Sequence, residues 1–396
     1  MAGKQMSAQE LHNMNFAARA AVLQRAVPRL QQIYTTTIAT PGANNNVINI
    51  PPRNVGLIRG FWVKVTGTIT NTAAAAGNII PAVPFGAANL LSQIQFTDLQ
   101  NNLRINTTGW HLDFLATAKL RAVWRAAFTQ SIATPAYGNN YASGIAVATN
   151  PIAQNGGVGT VTIWYYVPLT YNNLDLRGGI FANVVNATMN LQLTLNPSPV
   201  VDNTTTDQMN AVYAGGAGVA GTLTAVTVTV YQDYLDQLPI GPQGPVLPPL
   251  DLSTVYELKN TLLTGLAASN DFPIPYSNFR DFLSTFVAYS NGGAYNAGTD
   301  INYWSLQSAN YVDIFKIDPF LASLITRGIT ADDYPAGTYY FDFRNKPIST
   351  VQYGNMQLNI NPSSVGATLG GSKVAVAFES FAMINTITGA GSLAAG

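Results

Sequence analysis

Two stretches of this chain repeat each other. "QLTLNPSPV" at 192–200 and "QLNINPSSV" at 357–365 agree at six of nine positions, one in each half of the chain. Each follows a segment that begins Tyr-Tyr, "YYVPLT" from 165 and "YYFDFR" from 339, and each precedes a long alternating run, "AVTVTVYQDYL" or "KVAVAFESFAM". Three segments in the same order on both sides point to a duplicated domain rather than to a chance match.

The material being duplicated reads as β-structure. "VGLIRGFWVKVTGTIT", "TVTIWYYVPLT", "MNLQLTLN" and "TLTAVTVTVYQDYL" in the first half are rich in β-branched and aromatic residues, partly alternating and separated by Gly, Asn and Pro clusters. "FLSTFVAYS", "GTYYFDFR", "TVQYGNMQLNIN" and "KVAVAFESFAMI" give the same pattern in the second. Helices are expected at the Ala-rich interval 110–128 and near "DPFLASLITRGI" (318–329). The first copy carries a long glycine-rich loop at 201–221 where the second has only "GATLGGS". Between the copies, "LPIGPQGPVLPPL" (238–250) sets five prolines between Pro239 and Pro249. Proline fixes φ and removes backbone donors, so this stretch is expected to be a rigid bridge and not a flexible linker. The expected division is an arm and connector at 1–53, a first domain at 54–237, the bridge, a second domain at 251–386 and a glycine-rich tail at 387–396.

The N-terminal segment, 1–30, differs from the rest. It carries Lys4, Arg19, Arg25 and Arg29 against Glu10 alone. "SAQE" (7–10) has the form of a capping box that opens a helix, and Pro28 marks its expected end. Phe16, Ala20, Leu23 and Val27 fall on one stripe at helical spacing. Two readings follow: a helix packed on its own domain, or an arm that reaches a neighbouring subunit or an anionic lipid surface. As an arm, residues 1–30 would be removable without loss of fold. Residues 31–52 bear no charge and are expected to be an extended connector.

The function classes open to the chain are narrowed by what it lacks. Charged residues make up 10% of it, with 19 basic and 19 acidic side chains, against roughly 25% charged in ordinary soluble domains. So little like-charge repulsion suits dense packing against copies of itself, although an uncharged secreted β-protein looks similar. With no cysteine there is no disulfide framework and no thiolate metal site. No run of about 18 apolar residues occurs, and no signal peptide is recognisable. "GAGVAG" (216–221) matches a dinucleotide fingerprint, but a strand follows it where a helix is required. The two histidines, His12 and His111, belong to no zinc motif, and no G-x-S-x-G is present. Glu10, Glu257 and Glu379 lie far apart in sequence, and nothing points to a catalytic carboxylate pair. Trp62, Trp164 and Trp304 are expected in cores, with a sugar platform as the functional alternative. Only Lys119, Arg121 and Arg125 group outside the arm, which is weak support for a nucleic-acid groove. No catalytic, cofactor or metal site is expected.

"NVGLIRGFWVKVTGTITN", "GWHLDF", "WYYVPLTY", "VYQDYLDQLPIG", "DLSTVYELKN", "NGGAYNAGTDINY" and "KPISTVQYGN" run in order through most of the chain. In these stretches the chain resembles the major capsid proteins of tectiviruses, icosahedral bacteriophages with an internal membrane. The resemblance implies an all-β double jelly roll: two eight-stranded sandwiches in one chain, with an N-terminal helical arm and short helical insertions. It further implies homotrimeric capsomers of pseudo-sixfold shape, tiled with neighbouring capsomers and with vertex and minor capsid proteins. The arm would touch the internal viral membrane or a neighbour, which makes Lys4, Arg19, Arg25 and Arg29 the candidate contact residues. No specific nucleic acid is implied. The alternative from another class is a secreted carbohydrate-binding β-sandwich.

Overall fold

The computed structural model describes residues 7–39, 46–71, 88, 90–119, 146–147, 157–183, 188–195, 221–242, 244–264, 272–291, 300–308, 311–330, 337–363 and 372–383. Lys4, the long loop at 201–220 and the tail at 387–396 lie outside the described residues, as does the Ala-rich interval beyond Lys119.

The fold is a double jelly roll. The first roll has one sheet in the order β1 (Val27–Ile38), β10 (Gly221–Asp236), β3 (Leu57–Asn71), β7 (Gly157–Pro168), extended by the short β6 (Ala146–Val147). Its second sheet runs β2 (Asn46–Ile50), β9 (Asn190–Leu195), β4 (Leu91–Thr97), β5 (Leu103–Thr107). In the second roll, β13 (Thr254–Thr264), β21 (Ser372–Met383), β15 (Arg280–Asn291) and β18 (Thr338–Asp342) form one sheet. β14 (Phe272–Pro275), β20 (Met356–Pro362), β16 (Ile301–Ser308) and β17 (Tyr311–Ile317) form the other.

Taken in chain order, these two sets match strand for strand. The match extends to small features: β8 (Ile180–Phe181) pairs with the start of β3, as β19 (Ile348–Ser349) pairs with the start of β15. A helix follows β5 and β17 after a single residue: α2 (Gly109–Lys119) in the first roll and α4 (Pro319–Thr330) in the second. Of the echoed stretches, Gln192 to Leu195 fall on β9 and Gln357 to Pro362 on β20, and the Tyr-Tyr pairs fall on β7 and β18.

Each roll encloses an apolar core, and the first roll's core continues into the junction with the second. Along β3 the inward Phe61, Val63 and Val65 are buried while Trp62 between them is exposed. That is the alternation of a sheet with one free face. β15 is buried from Phe282 to Ser290 without interruption, because its second face rests on the first roll. The rolls are also joined through the backbone: β13 pairs in parallel with β5, Leu258 opposite Ile105, so that one nine-stranded sheet crosses the junction.

Three sequence expectations are corrected. Residues 31–52 are not a connector: β1 pairs with β10 over its length and β2 with β9, making both integral strands of the first roll. The β-branched residues are the reason, with Thr35 facing Thr229 and Thr37 facing Thr227 across the ladder, hydroxyls 3.2 and 2.8 Å apart. Helix α1 (Ala8–Arg25) opens with the expected capping box of Ser7 and Glu10, but ends at Arg25, and Pro28 already belongs to β1. Its buried face is Asn15, Ala18 and Val22; of the expected apolar stripe Leu23 packs against the cluster beneath the helix, whereas Phe16 is 67% exposed. Finally, Thr350–Tyr353 forms a helical turn, α5, ahead of β20 and not part of a strand.

The proline-rich stretch folds into a two-strand hairpin, β11 (Ile240–Gly241) with β12 (Gly244–Pro245), closed by the Val246 amide donating to Pro239 O at 2.7 Å. A single turn of helix follows, α3 (Pro249–Leu252), with Pro249 at its first position.

Candidate assembly site

The junction of the two rolls is built around α2. Its N-terminal turn is set by His111, buried, whose Nδ1 lies 2.5 Å from Thr107 Oγ1. Trp110 and Phe114, one turn apart on the same face, reach across to the second roll. Ring centroids are 5.2 Å apart for Trp110 and Phe286 on β15, 3.9 Å for Phe114 and Phe286, and 5.1 Å for Phe114 and Tyr340 on β18. Lys119 ends the helix. Its ammonium lies 2.5 Å from the Glu379 carboxylate on β21, donates to Tyr256 Oη at 2.8 Å, and stands over the rings of Tyr171 and Tyr256.

Glu379 is fully buried, with Tyr256 donating to it at 2.5 Å and Ser284 at 2.7 Å. Burial by itself pushes this carboxyl up, but Lys119 and the two hydroxyls outweigh it and hold the group below the usual carboxylate range. Nearby His111 is also shifted down, to about 3, but here burial is the cause, and the ring is left neutral at physiological pH.

A second tie sits at Gly178, with φ at +93°. Arg104 donates to its carbonyl at 3.0 Å and is itself held by the buried Asp98, while the Gly178 amide donates to Asp251 O at 3.2 Å. A Cβ here would press on Leu169 O and come within 2.6 Å of the Tyr256 Cβ. Glycine is required by conformation and by space.

Helix α1 is docked on the first turn of the second roll. Asn15 donates to the buried Asp251 carboxylate at 2.9 Å, and its own carbonyl oxygen accepts from the amides of Leu250 and Asp251. Arg19 binds the same carboxylate through Nε, 2.6 Å, and Nη2. Beneath the helix Val22 and Ala26 pack on Leu57, Leu176 and Leu235.

Of the four candidate contact residues, Arg19 is therefore turned inward onto Asp251. Arg25, at the end of α1, is exposed. Arg29, on β1, is half-exposed and lies 3.5 Å from Asp236. Lys4 lies outside the described residues. Among the described residues, Arg19, Arg25 and Arg29 form no shared cluster, since Arg19 pairs with Asp251 and Arg29 with Asp236.

Sequence reasoning passed over Glu379 and Lys119 as partners. A signal was present, since an acid inside "VAVAFESFAM" sits in a run too apolar for solvent and needs a buried cation. Its partner, in the other half of the chain, carries no such mark.

Several apolar surfaces are exposed among the described residues. Helix α1 exposes Met14 and Phe16 at different points around its axis; α4 exposes Phe320, Leu321, Leu324 and Ile325; and a cleft of about 550 Å³ opens on the outer face of the first roll beside Trp62 and Tyr166. Among the described residues no group of three or more His, Cys, Asp or Glu is placed to hold a metal, and no helix is long and apolar enough to cross a membrane.

Comparison with known proteins accounts for both halves. The P3 major capsid protein N-terminal family matches residues 3–238 and the P3 major capsid protein C-terminal family residues 253–395. Major capsid protein P3 of Enterobacteria phage PRD1 is 38% identical over 383 residues, which cover 96% of this chain and 93% of that protein. Among solved structures, the STIV MCP, from Sulfolobus Turreted Icosahedral Virus, superposes with a TM-score of 0.59 at 15% identity, over 90% of this chain and 97% of that one. The PBCV-1 virus capsid gives 0.52 at 10% identity, over 90% and 94%. At such identities the likeness is one of fold.

Proposed function

This chain belongs to the P3 major capsid protein family, a family of structural capsid proteins and not of enzymes, and from that premise we propose that three copies associate into one pseudo-hexagonal capsomer. It is a component of the virion capsid, and the comparisons give no support to a carbohydrate-binding role. The observation that carries the trimer is the strand-for-strand match of the two rolls together with their fixed junction. Three chains of two similar, rigidly oriented units present six similar edges, and such a piece fills a hexagonal lattice. Neighbouring capsomers, vertex proteins and minor capsid proteins would meet those edges.

On the same reading, α1 faces the inside of the shell and meets the internal membrane. Its inner face is occupied by Asp251 and Leu235, so the contact falls to the exposed Phe16 and to Arg25 at the helix end, with Lys4 ahead of the helix and Arg29 after it. An exposed aromatic side chain with cations before and after it in the chain suits an anionic lipid interface.

Native mass measurement and electron microscopy of the purified protein test the capsomer. Hexagonal particles of three chains are expected, and a species of 42.2 kDa at every concentration would remove the reading. Flotation with anionic vesicles tests the arm: binding should fall at least tenfold in a Phe16→Glu, Arg25→Glu chain, and equal binding would end the membrane assignment.

A further inference from the structure

The two rolls match in every strand, yet one surface on each is treated differently. In α2 the stripe Trp110, Phe114 and Ala118 is buried, at 3%, 0% and 5% exposure, with Trp110 and Phe114 against Phe286 and Tyr340 of the other roll and the Ala118 carbonyl accepting from its Arg344. Counted from the helix starts, the same positions in α4 are Phe320, Leu324 and Gly328. Here Phe320 is 73% and Leu324 49% exposed, and a Cβ on Gly328 would meet nothing. Both helices rest on their own roll in the same way, through Leu112 and Ala322, both buried. The chain thus carries one seated helix and one equivalent helix whose apolar face has no seat among the described residues.

The seat itself is duplicated too. Tyr340 lies opposite Phe286 across β18 and β15, and Tyr166 lies opposite Trp62 across β7 and β3. Two residues before Phe286, Ser284 faces Glu379; two before Trp62, Gly60 faces Asp233. Each acid sits beside the aromatic pair. Asp233 receives Arg59 at 2.6 Å and Tyr166 Oη at 3.2 Å. Trp62, Tyr166, Arg59 and Asp233 line the 550 Å³ cleft together with Leu115 and Lys119 of α2. At the other seat Ile329, which stands in α4 where Lys119 stands in α2, packs against the cluster that holds Trp110 and Phe114. The cleft on the first roll is the counterpart of the place that α2 occupies on the second.

We infer that α4 of one subunit seats in the Trp62–Tyr166 cleft of the next, with Phe320 and Leu324 taking the positions that Trp110 and Phe114 take within the chain. This rests on the trimer proposed above and specifies its contact. One chain cannot satisfy both seats, because its own α4 stands on the second roll, so the occupant is a second copy. The contact is heterologous, and it closes only if the turn from roll to roll repeats around a ring. No cation is needed from α4, since Arg59 already neutralises Asp233 from its own roll, whereas Glu379 depends on Lys119 from the neighbouring roll.

The chain has no cysteine, so introduced thiols report cleanly. Trp62→Cys and Leu324→Cys are made singly and together and treated with a short bismaleimide. Each single variant should run as one chain on denaturing gels, their mixture should yield linked pairs, and the double variant should close at three chains. As a second reading, Leu324→Arg should shift the trimer–monomer midpoint at least tenfold toward monomer without changing the melting of the monomer, since the residue is half-exposed in the single chain. Native trimers with no linkage in the double variant, or self-linked single variants, would overturn the seat while leaving the trimer standing. Native monomers at every concentration would overturn the trimer itself.

Discussion

Lys119 and Glu379 meet across the junction of the two rolls, ammonium to carboxylate at 2.5 Å, one from the end of α2 and the other from the middle of β21. The carboxylate is fully buried while the lysine keeps 22% exposure. Removing the cation leaves an ionised group without its charge partner in a dry site, at a cost of about 3 to 5 kcal/mol. Lys119→Met should show a loss of this size in urea unfolding at neutral pH. Glu379→Gln should cost less, because it removes the charge as well as the partner. A Lys119→Met loss below about 1 kcal/mol, the range of an exposed pair, would show that this one does not hold the junction.

Acid should weaken the protein in two stages. His111 is held neutral, with its folded pKa pushed down to about 3 from 6.5. An unfolded chain takes up that proton first, so the contribution is complete above about pH 6.5 and declines as pH falls below it, at up to about 1.4 kcal/mol per pH unit. The Glu379 carboxyl is held below its ordinary value of 4.5. Its contribution is present above that value and is lost as pH falls through the lower folded value. Urea midpoints between pH 7.5 and 4.5 should therefore decline in the wild type and decline less steeply in His111→Gln. Equal slopes in the two proteins would contradict the assignment.

The strands and the duplication were legible because both leave local marks. Alternation in "AVTVTVYQDYL" and the repeat of "QLTLNPSPV" are visible without any neighbour. β1 was less legible, because "QQIYTTTI" follows a helix and precedes Pro41 and Gly42, and its Thr ladder becomes decisive only once β10 lies beside it. Arg19 shows the same limit. As a basic residue on a helix it suits lipid, and only the fold brings Asp251, from the other side of the proline-rich stretch, beneath it. Asn15 buried and Phe16 exposed depart from the ordinary expectation for an amphipathic helix, because the docking surface joins a carboxylate and two backbone amides at Asn15 and Arg19 to an apolar patch under Val22 and Ala26.

Gly178 gives a test of the junction that involves no charge. Its positive φ and the closeness of the Tyr256 Cβ mean that Gly178→Ala strains the backbone and pushes β13 away from the first roll. Strain of this kind costs about 1 to 3 kcal/mol. The same change at Gly328, which meets nothing, should be neutral or slightly stabilising, because alanine favours a helix interior. Thermal melting of the two variants makes the comparison, and equal melting temperatures would remove the claim that Gly178 sits at a tight contact.

The arm can be divided by truncation. Residues 1–6 precede the capping box, and their removal should leave stability within about 0.5 kcal/mol of the full chain. Removal through Ala26 takes away Asn15 and Arg19 from the buried Asp251 and uncovers Leu57, Leu176 and Leu235. Loss of the ion pair and of the buried Val22 should together cost about 3 kcal/mol or more. Removal through Leu30 goes further, since Val27 to Leu30 pair with Asp236 to Asp233 along β10, and Pro28, Arg29 and Leu30 form part of the wall of the Trp62 cleft. That chain should unfold earlier still and should lose trimers even where monomers remain folded. The sequence taken alone treats the whole segment from Met1 to Leu30 as a removable arm; a chain lacking it that melts like the wild type and still trimerises would restore that view and end the one argued from the fold.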